Sequence, residues 1–405
     1  MTERQFAVEV VRTLQAAGHV ALFAGGCVRD ELLGLAPADY DVAASATPQD
    51  VQALFRRTVA VGAAFGVVEV IGPRVEGQHL KVQVATFRSD GAYTDGRRPD
   101  AVTFSSPEED AARRDFTVNG LFSDPLTGEI RDYVGGRADL TAKVLRAIGD
   151  PAARFTEDKL RLLRAVRMAA RFDLVIESAT LAAVKAMASQ LTVVSAERIA
   201  DELRKLLSHP NRARGLTLLH ETGLLAVVLP EAVPGWEDAR DVLGQLTAGE
   251  FVTAGAALLY DRPPAVVAGV CRRLKLANHE TDRIAWLAAH ADGLVEAPTQ
   301  PPSAIYPLLA HPGGRQLVEG FRAAAFASSN FSLIDHAAYC ERLLRDKSPA
   351  ELDPPPLVTG DGLRAAGYKP GPGFKPALAA ARAAQLDGAV STPAEALALA
   401  ATHLG

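Results

Sequence analysis

The spacing of hydrophobic and polar positions divides the chain into a mixed first third and a helical remainder. Apolar and polar residues alternate in the runs FGVVEVIG (65–72) and KVQVATFR (81–88), which predicts two β-strands. Shorter patterns predict two more strands and an amphipathic helix, at VALFA (20–24), DYDVAAS (39–45) and PQDVQALFRR (48–57). From Asp150 onward, leucines recur mainly at helical spacing. We therefore expect an α/β head followed by an all-helical body.

The first long helical pattern also carries an excess of positive charge. It is TEDKLRLLRAVRMAARF (156–172), for which Thr156 is the expected N-cap. Residues 154–214 contain twelve Lys or Arg against seven Asp or Glu, whereas the whole chain has a net charge of −5. This local excess favours a surface that faces RNA. A solvated helical face would give the same count.

Composition excludes several classes of protein. Hydrophobic residues make up 48% and charged residues 22% of the 405 positions, which is typical of a globular protein of two to four domains. The three cysteines are far apart, so a disulfide framework or a zinc site is not indicated, and a reducing cytoplasm is expected. The N-terminus carries charges instead of a signal-peptide core, and apolar runs stay below the ~18 residues of a membrane span.

Candidate chemistry is concentrated in GGCVRDELLGLAPADYDVA (25–43). Gly25 and Gly26 end an apolar strand and precede a predicted helix, so backbone N–H groups there could contact phosphate oxygens. Asp39 and Asp41 would point to one side of a strand, and paired carboxylates favour Mg²⁺. An ordinary strand-to-helix turn would also explain the two glycines, and an exposed strand end would also explain the two aspartates. Together, the two features predict a nucleotidyl-transfer site.

Four motifs in this order resemble the class II tRNA nucleotidyltransferases, a family that includes CCA-adding enzymes and bacterial poly(A) polymerases. They are GGCVRDELLG…DYD, RRDFTVNG (113–120), EDKLRLLRAVR (157–167) and SAERIADELRKLL (195–207). The resemblance implies an α+β fold, with a polymerase-β-like nucleotidyltransferase head followed by all-helical neck, body and tail domains. It places these at residues 1–145, 146–210, 211–325 and 326–405.

The resemblance also implies roles for individual residues. Asp39 and Asp41 would be catalytic and hold Mg²⁺, and the partners would be CTP, ATP and the 3′ end of tRNA. The glycine turn, Gly25 and Gly26, with Arg29 and Asp30, would contact or support the triphosphate. The second motif would handle ribose and phosphates through Arg113, Arg114, Asp115 and Asn119. The base-reading helix of the neck would carry Asp158, Arg161, Arg164 and Arg167.

Base selection has a chemical explanation in Asp158 and Arg161, which are neighbours if both lie on one helix. A carboxylate only accepts hydrogen bonds and a guanidinium only donates them. Cytosine and adenine present an amino donor beside a ring-nitrogen acceptor, whereas uracil and guanine present the reverse. The pair would therefore accept C and A without a template. A surface salt bridge is the alternative interpretation.

One position departs from the family pattern. Gln83 occupies a site where the family usually carries a glutamate, a candidate third carboxylate, and Glu69 on the neighbouring predicted strand is a possible substitute. Without that acid, a catalytically weak RNA-binding protein of the same fold is an alternative to an enzyme.

Two further segments bear on which nucleotides are added. The segment 87–104 resembles the flexible loop of enzymes that add the terminal A. The stretch VGAAFG (61–66) lacks the arginines usual in poly(A) polymerases. We expect CCA addition, with A-only addition or poly(A) addition as alternatives.

Overall fold

The computed structural model describes residues 1–62, 66–91 and 102–404. Its strands are β1 Ala21–Ala24, β2 Asp41–Ala44, β3 Thr58–Gly62, β4 Val67–Val75, β5 Gln78–Thr86, β6 Arg88–Asp90, β7 Val102–Phe104, β8 Leu121–Ser123, β9 Ile130–Asp132, β10 Val144–Leu145 and β11 Val175–Ile176. Its first eight helices are α1 Glu3–Ala16, α2 Gly26–Leu32, α3 Pro48–Leu54, α4 Pro107–Ala112, α5 Gly136–Thr141, α6 Pro151–Glu157, α7 Arg161–Arg171 and α8 Ser178–Met187.

The remaining helices follow one another along the chain. They are α9 Ala196–Leu207, α10 Arg212–Glu221, α11 Leu224–Val228, α12 Trp236–Gln245, α13 Phe251–Leu258, α14 Pro264–Arg273, α15 Asn278–Ala289, α16 Pro302–Ala310, α17 Gly314–Ala327, α18 Phe331–Asp346, α19 Pro349–Leu352, α20 Gly360–Ala365, α21 Phe374–Leu386 and α22 Pro393–Thr402. Short 3-10 helices lie at Thr117–Asn119, Ala188–Val193 and Pro230–Ala232.

The chain forms two compact units. The first contains residues 1–195 and 221–228, and the second contains residues 196–220 and 229–405. In the second unit, the C-terminal helices α20, α21 and α22 share a small core of leucine and alanine side chains. The predicted division into four domains stays a prediction.

The first unit is built on a seven-stranded mixed sheet with the order β3-β4-β5-β2-β1-β8-β9. Strands β2 and β5 pair in parallel, and the other neighbours are antiparallel. Val42, Val68 and Val84 are fully buried and point to one face, on which α1 and α3 pack. Because side chains alternate along a strand, the residues next to these valines point to the opposite face.

Most of the short elements predicted from the sequence are confirmed, among them the strands β1, β4 and β5 and the helices α2 and α3. Strand β2 begins only at Asp41, so the prediction that Asp39 lies on this strand is wrong. Among the described residues, no helix has the length and hydrophobicity needed to cross a membrane.

The predicted single helix over 156–172 is also wrong. Helix α6 starts after Asp150, whose carboxylate accepts a hydrogen bond from the Ala153 N–H at 2.8 Å, so Thr156 lies inside a helix and does not cap one. The chain is extended at Asp158, with φ −146° and ψ 107°, and α7 begins at Arg161. Asp150 followed by Pro151 is a stronger start signal than Thr156, because proline is favoured in the first helical turn.

Candidate active site

The turn at Gly25 requires glycine. Its φ is +71°, and a Cβ atom at this position would lie 2.5 Å from Nη1 of Arg114. Its N–H donates to the Leu121 carbonyl oxygen at 2.9 Å, which ties the turn to β8. Helix α2 begins at Gly26, and the first N–H groups of any helix lack intrahelical acceptors. The turn therefore brings backbone donors and an arginine together.

Asp41 is the first residue of β2, and Asp39 lies two residues earlier on the connecting segment. Both residues are exposed to solvent. Protein atoms nevertheless surround the Asp41 carboxylate closely enough that desolvation raises its pKa, and the charge of Asp39 raises the pKa further, to about 6. The Arg114 guanidinium acts in the opposite direction. The two carboxylates are therefore close enough to repel each other, although only Asp41 lies on the strand.

The pairing of β2, β5 and β4 shows where Gln83 and Glu69 lie relative to Asp41. The Cα partner of Asp41 on β5 is Gln83, and the Cα partner of Gln83 on β4 is Glu69. The three side chains form a row on the sheet face opposite the buried valines. Gln83 separates Glu69 from Asp41, and the Glu69 carboxylate accepts from the Lys81 ammonium at 3.0 Å. Glu69 is thus on the correct face but one strand further from Asp41 than Gln83.

The two consecutive arginines of the second motif share one buried carboxylate. Asp110 on α4 accepts from Arg113 on Oδ1 at 2.6 and 2.9 Å, and from Arg114 on Oδ2 at 2.9 and 3.2 Å. Arg114 also donates from Nη1 to the Asn119 carbonyl oxygen at 3.1 Å and lies over the Phe122 ring at 4.9 Å. Arg114 therefore lies at the glycine turn, where its charge also acts on Asp41.

Arg29 and Asp30 are buried and bonded to each other. Nε and Nη2 of Arg29 donate to Oδ1 of Asp30 at 2.8 and 2.6 Å, and Nη1 donates to the Asn119 side-chain oxygen. The Arg29 guanidinium also stacks on the Phe172 ring at 4.1 Å, and Arg171 approaches Asp30 at 3.8 Å. In this arrangement Arg29 supports the start of α2, and each of its three guanidinium nitrogens donates a hydrogen bond within the protein.

Asp115 links the same motif to α7. Its Oδ1 accepts from the Asn119 amide at 2.9 Å, and its Oδ2 accepts from Nε and Nη2 of Arg164 at 2.8 and 2.6 Å. Burial alone would raise the pKa of Asp115, but the Arg164 guanidinium, the Asn119 hydrogen bond and the charge of Arg161 hold that pKa far below its usual range. Arg164 thus acts as an internal partner, and Arg167, one turn further along α7, is buried.

The predicted base-reading pair does not lie on one helix. Asp158 precedes α7 and accepts from the Leu160 N–H at 3.0 Å. Arg161 donates from Nη1 to Glu157 at 2.5 Å and to the Arg154 carbonyl oxygen at 2.9 Å, and from Nη2 to the Arg113 carbonyl oxygen at 3.3 Å. Across the described residues, Nε of Arg161 donates no hydrogen bond, so one edge of the guanidinium keeps a donor for a ligand.

The comparisons with known proteins point to one family. Residues 21–146 match a family model described as the poly(A) polymerase head domain, and residues 173–234 match one described as the probable RNA- and SrmB-binding site of polymerase A. The CCA-adding enzyme of Enterococcus faecalis is 45% identical over 217 residues, which are 53% of this chain and 52% of that protein. The CCA-adding enzyme of Lactiplantibacillus plantarum is 41% identical over 247 residues, 61% of this chain and 58% of that protein. The chain thus spans little more than half the length of these curated relatives.

A solved structure extends the similarity over the whole chain. The CCA-adding enzyme of Bacillus stearothermophilus in complex with CTP is 30% identical, with a TM-score of 0.78 over 99% of this chain and 98% of that one. The chain belongs to the family of class II tRNA nucleotidyltransferases and bacterial poly(A) polymerases. The expected fold class, a polymerase-β-like head followed by helical domains, is confirmed.

Three contacts of this tRNA nucleotidyltransferase-like site were not predicted from the sequence. Asp110 lies three and four residues before Arg113 and Arg114, a helical spacing that signals the contact. Glu157 lies four residues before Arg161, which gives a similar signal although the helix is interrupted between them. Phe172 has no local signal, because it follows α7 and meets Arg29 of α2 only through the tertiary fold.

The Asp115–Arg164 pair provides a stability prediction. Replacing Arg164 with glutamine leaves the buried Asp115 carboxylate without its strongest partner, so we expect the free energy of unfolding to fall by about 2 kcal/mol, moderated by the partial exposure of Arg164. The pKa of Asp115 is lower in the folded protein than in the unfolded chain. Its charge therefore stabilises the fold at pH values above its unfolded-state pKa, and this stabilisation is lost as the pH falls below about 4. Chemical denaturation at neutral and acidic pH measures both effects.

Arg131→Gln is the matched control for this experiment. Arg131 has a similar exposure, 32% against 35%, but its partner Glu129 is itself exposed. We expect a loss below about 1 kcal/mol for this variant. Equal losses in the two variants at neutral pH would contradict the importance of the buried pair.

Proposed function

We propose that the protein adds CCA to the 3′ end of tRNA, using CTP and ATP and releasing pyrophosphate. The observation that carries this proposal is that the glycine turn, Arg114 and Asp41 lie together at one end of the central strands β1 and β2. Transfer of a nucleotide requires cationic donors at the triphosphate and acidic ligands for a divalent cation, and these residues supply both. The similarity to CCA-adding enzymes over the whole chain supports this choice within the family.

Mg²⁺ is the cofactor that we propose for Asp39 and Asp41. The raised pKa of Asp41 reflects a crowded carboxylate beside another negative charge, and a hard divalent cation between the two would relieve that repulsion. The described part of the chain contains no cluster of three or more His, Cys, Asp or Glu side chains suited to a metal. Substrate phosphates and water would complete the ligands, as is common for Mg²⁺. Bound there, the ion would stabilise charge on the phosphates and activate the attacking hydroxyl.

In the proposed reaction, the 3′-terminal hydroxyl of the tRNA attacks the α-phosphorus of CTP or ATP. Arg114 would face the triphosphate, together with the backbone N–H groups that follow Gly25. Arg29 and Asp30 would keep α2 in place, since their polar groups already bond to each other. The remaining residues of the second motif would position the ribose and phosphates, namely Arg113, Asp115 and Asn119.

Asp158 and Arg161 would select the base. Asp158 would accept a hydrogen bond from the amino group of C or A, and the free edge of Arg161 would donate to the ring nitrogen. Glu157 would hold Arg161 in position for this contact. Arg164 would keep α7 attached to the second motif through Asp115, and Arg167 would support the helix from within.

Gln83 provides a prediction about the metal. Gln83→Glu places a carboxylate in register with Asp41, so in EDTA we expect a lower melting temperature from added repulsion. The rise in melting temperature on adding Mg²⁺ should be larger than in the original protein, because the site gains a ligand. Thermal unfolding with and without Mg²⁺ measures both effects, and Gln78→Glu on the same strand is the control. An unchanged response to Mg²⁺ would argue against a metal beside Asp41.

The proposal is tested with three tRNA transcripts, which end before CCA, after C and after CC. Each is incubated with CTP, ATP or both. Addition only of A to the transcript ending in CC would indicate an A-adding enzyme, and long A tails would indicate a poly(A) polymerase. Tight tRNA binding without incorporation would favour an RNA-binding protein, the alternative that Gln83 supports.

Two broader proposals accompany this function. We propose that the chain is organised as a head (1–145), neck (146–210), body (211–325) and tail (326–405). We also propose that it works in the cytoplasm, because its cysteines are unpaired and buried, as expected in a reducing compartment.

A further inference from the structure

Asp110 is one of the most deeply buried carboxylates among the described residues, with 1% of its surface exposed. Both of its oxygens are used. Oδ1 accepts two hydrogen bonds from Arg113 and a longer one, at 3.4 Å, from the Arg88 N–H. Oδ2 accepts two hydrogen bonds from Arg114. Burial alone would raise the pKa of Asp110, but the charges of Arg114 and Arg113 keep it below its usual range, so the carboxylate is ionised at neutral pH.

These contacts fix the orientation of Arg114 from two sides. Asp110 holds the Nε–Nη2 edge, and the Asn119 carbonyl oxygen holds Nη1. The Phe122 ring lies beneath the guanidinium plane. As a result, the Nη1 end is directed at the position that a Cβ of Gly25 would occupy. A carboxylate that pairs with the Nε and Nη2 atoms of two successive arginines restricts the orientation of both guanidinium groups, since such pairing fixes direction as well as distance.

We propose that Asp110 is a positioning residue for nucleotide binding, which acts by holding Arg114 toward the triphosphate at the glycine turn. This inference rests on the proposed function. Asp110 itself contacts the arginines and not the nucleotide. Its removal should therefore weaken binding of the triphosphate without changing the chemical step once the nucleotide is bound.

The test is a double-mutant cycle with Asp110→Asn, Arg114→Ala and the combined variant. The dissociation constant of CTP is measured by calorimetry in Mg²⁺ without RNA. Asp110→Asn should weaken CTP binding by about tenfold or more, because charge-assisted hydrogen bonds to Arg114 are lost. In the Arg114→Ala background the same change should cost clearly less than in the original protein, because Asp110 then positions only Arg113. The two effects would multiply if Asp110 acted only on the fold.

Steady-state kinetics gives a second readout. The KM for CTP should rise with the dissociation constant, while kcat at saturating CTP should stay within about threefold of the original value. Asp124→Asn is the matched control, because Asp124 is a buried carboxylate of the same unit that accepts from Gln15 and the Leu126 N–H and does not contact either arginine of the pair. It should leave CTP binding unchanged.

Several results would overturn the inference. They are an unchanged CTP affinity in Asp110→Asn, multiplicative effects in the double variant, or an equal loss in Asp124→Asn. If Asp110→Asn does not fold, Asp110→Glu replaces it, since it keeps the charge but displaces the carboxylate, and the same pattern with a smaller loss is expected. Because CTP binding is measured without RNA, failure of the proposed transfer reaction would appear separately, as intact binding without incorporation.

Discussion

On the proposed function, replacing Asp41 with alanine should reduce nucleotide incorporation by at least about a thousandfold, because the reaction would lose a ligand of the cation proposed to stabilise the phosphates. Asp39→Ala should cause a loss of similar size, since the two carboxylates are proposed to hold the same ion. Binding of tRNA should remain within about twofold of the original value, because neither side chain would contact the body of the RNA. Incorporation of radiolabelled CTP into a transcript lacking CCA measures the first effect, and filter binding measures the second.

The Asp41 variants also allow a check on folding. Because the pKa of Asp41 is raised to about 6, its charge disfavours the folded state at neutral pH. In EDTA, Asp41→Asn should therefore melt no lower than the original protein, and any advantage should shrink as pH falls through about 6 toward 4. Glu129→Ala, which removes an exposed acid of the turn between β8 and β9, is the control and should keep full activity. Survival of incorporation in Asp41→Ala would contradict the metal assignment.

Base selection should weaken sharply when Asp158 is replaced. In Asp158→Ala, the preference for CTP over UTP in kcat/KM should fall by about a hundredfold, because in the proposed mode the carboxylate would accept from the amino group of C and would repel the carbonyl oxygen of U. Arg161→Ala should lower the same preference, since its donor would complement the ring nitrogen of C and oppose the N–H of U. The combined variant should be little worse than either single one, because the two side chains would read one base together.

Competition between CTP and UTP on a transcript lacking CCA provides this measurement. Asp201→Ala removes an exposed carboxylate from α9 and serves as the control. Its preference for CTP should match that of the original protein. A uniform loss of activity with unchanged preference in Asp158→Ala would show that Asp158 supports the fold near α7 and does not read the base.

Local patterns predicted most of the head. The alternation in β4 and β5 is strong because one face of each strand packs on α1 and α3 while the other stays open. The requirement for glycine at position 25 was visible too, since a strand followed by Gly-Gly and a helix demands an unusual backbone. These features depend on neighbouring residues, which is why the sequence alone was informative.

Helix boundaries at the site were harder to predict. The leucine and arginine spacing of 156–172 fits one helix, yet the chain extends at Asp158 and restarts at Arg161. The Asp158 carboxylate accepts a hydrogen bond from the Leu160 N–H, and this local hydrogen bond competes with helix formation.

The partners of the charged residues were the least predictable part. From the sequence, Arg29 was expected to face a phosphate and Arg164 a base. In the structure, Arg29 bonds to Asp30 and Arg164 bonds to Asp115. These partners come from how α2, α7 and the second motif pack together, which no short segment encodes. Gln83 was recognisable as a departure, and only strand pairing placed it beside Asp41.

The most direct test is to sequence the 3′ ends made from a tRNA transcript lacking CCA when CTP and ATP are both supplied. The proposed function predicts three added nucleotides, C, C and A in that order, followed by a stop. Unextended transcript, or a tail of many adenosines, would contradict it.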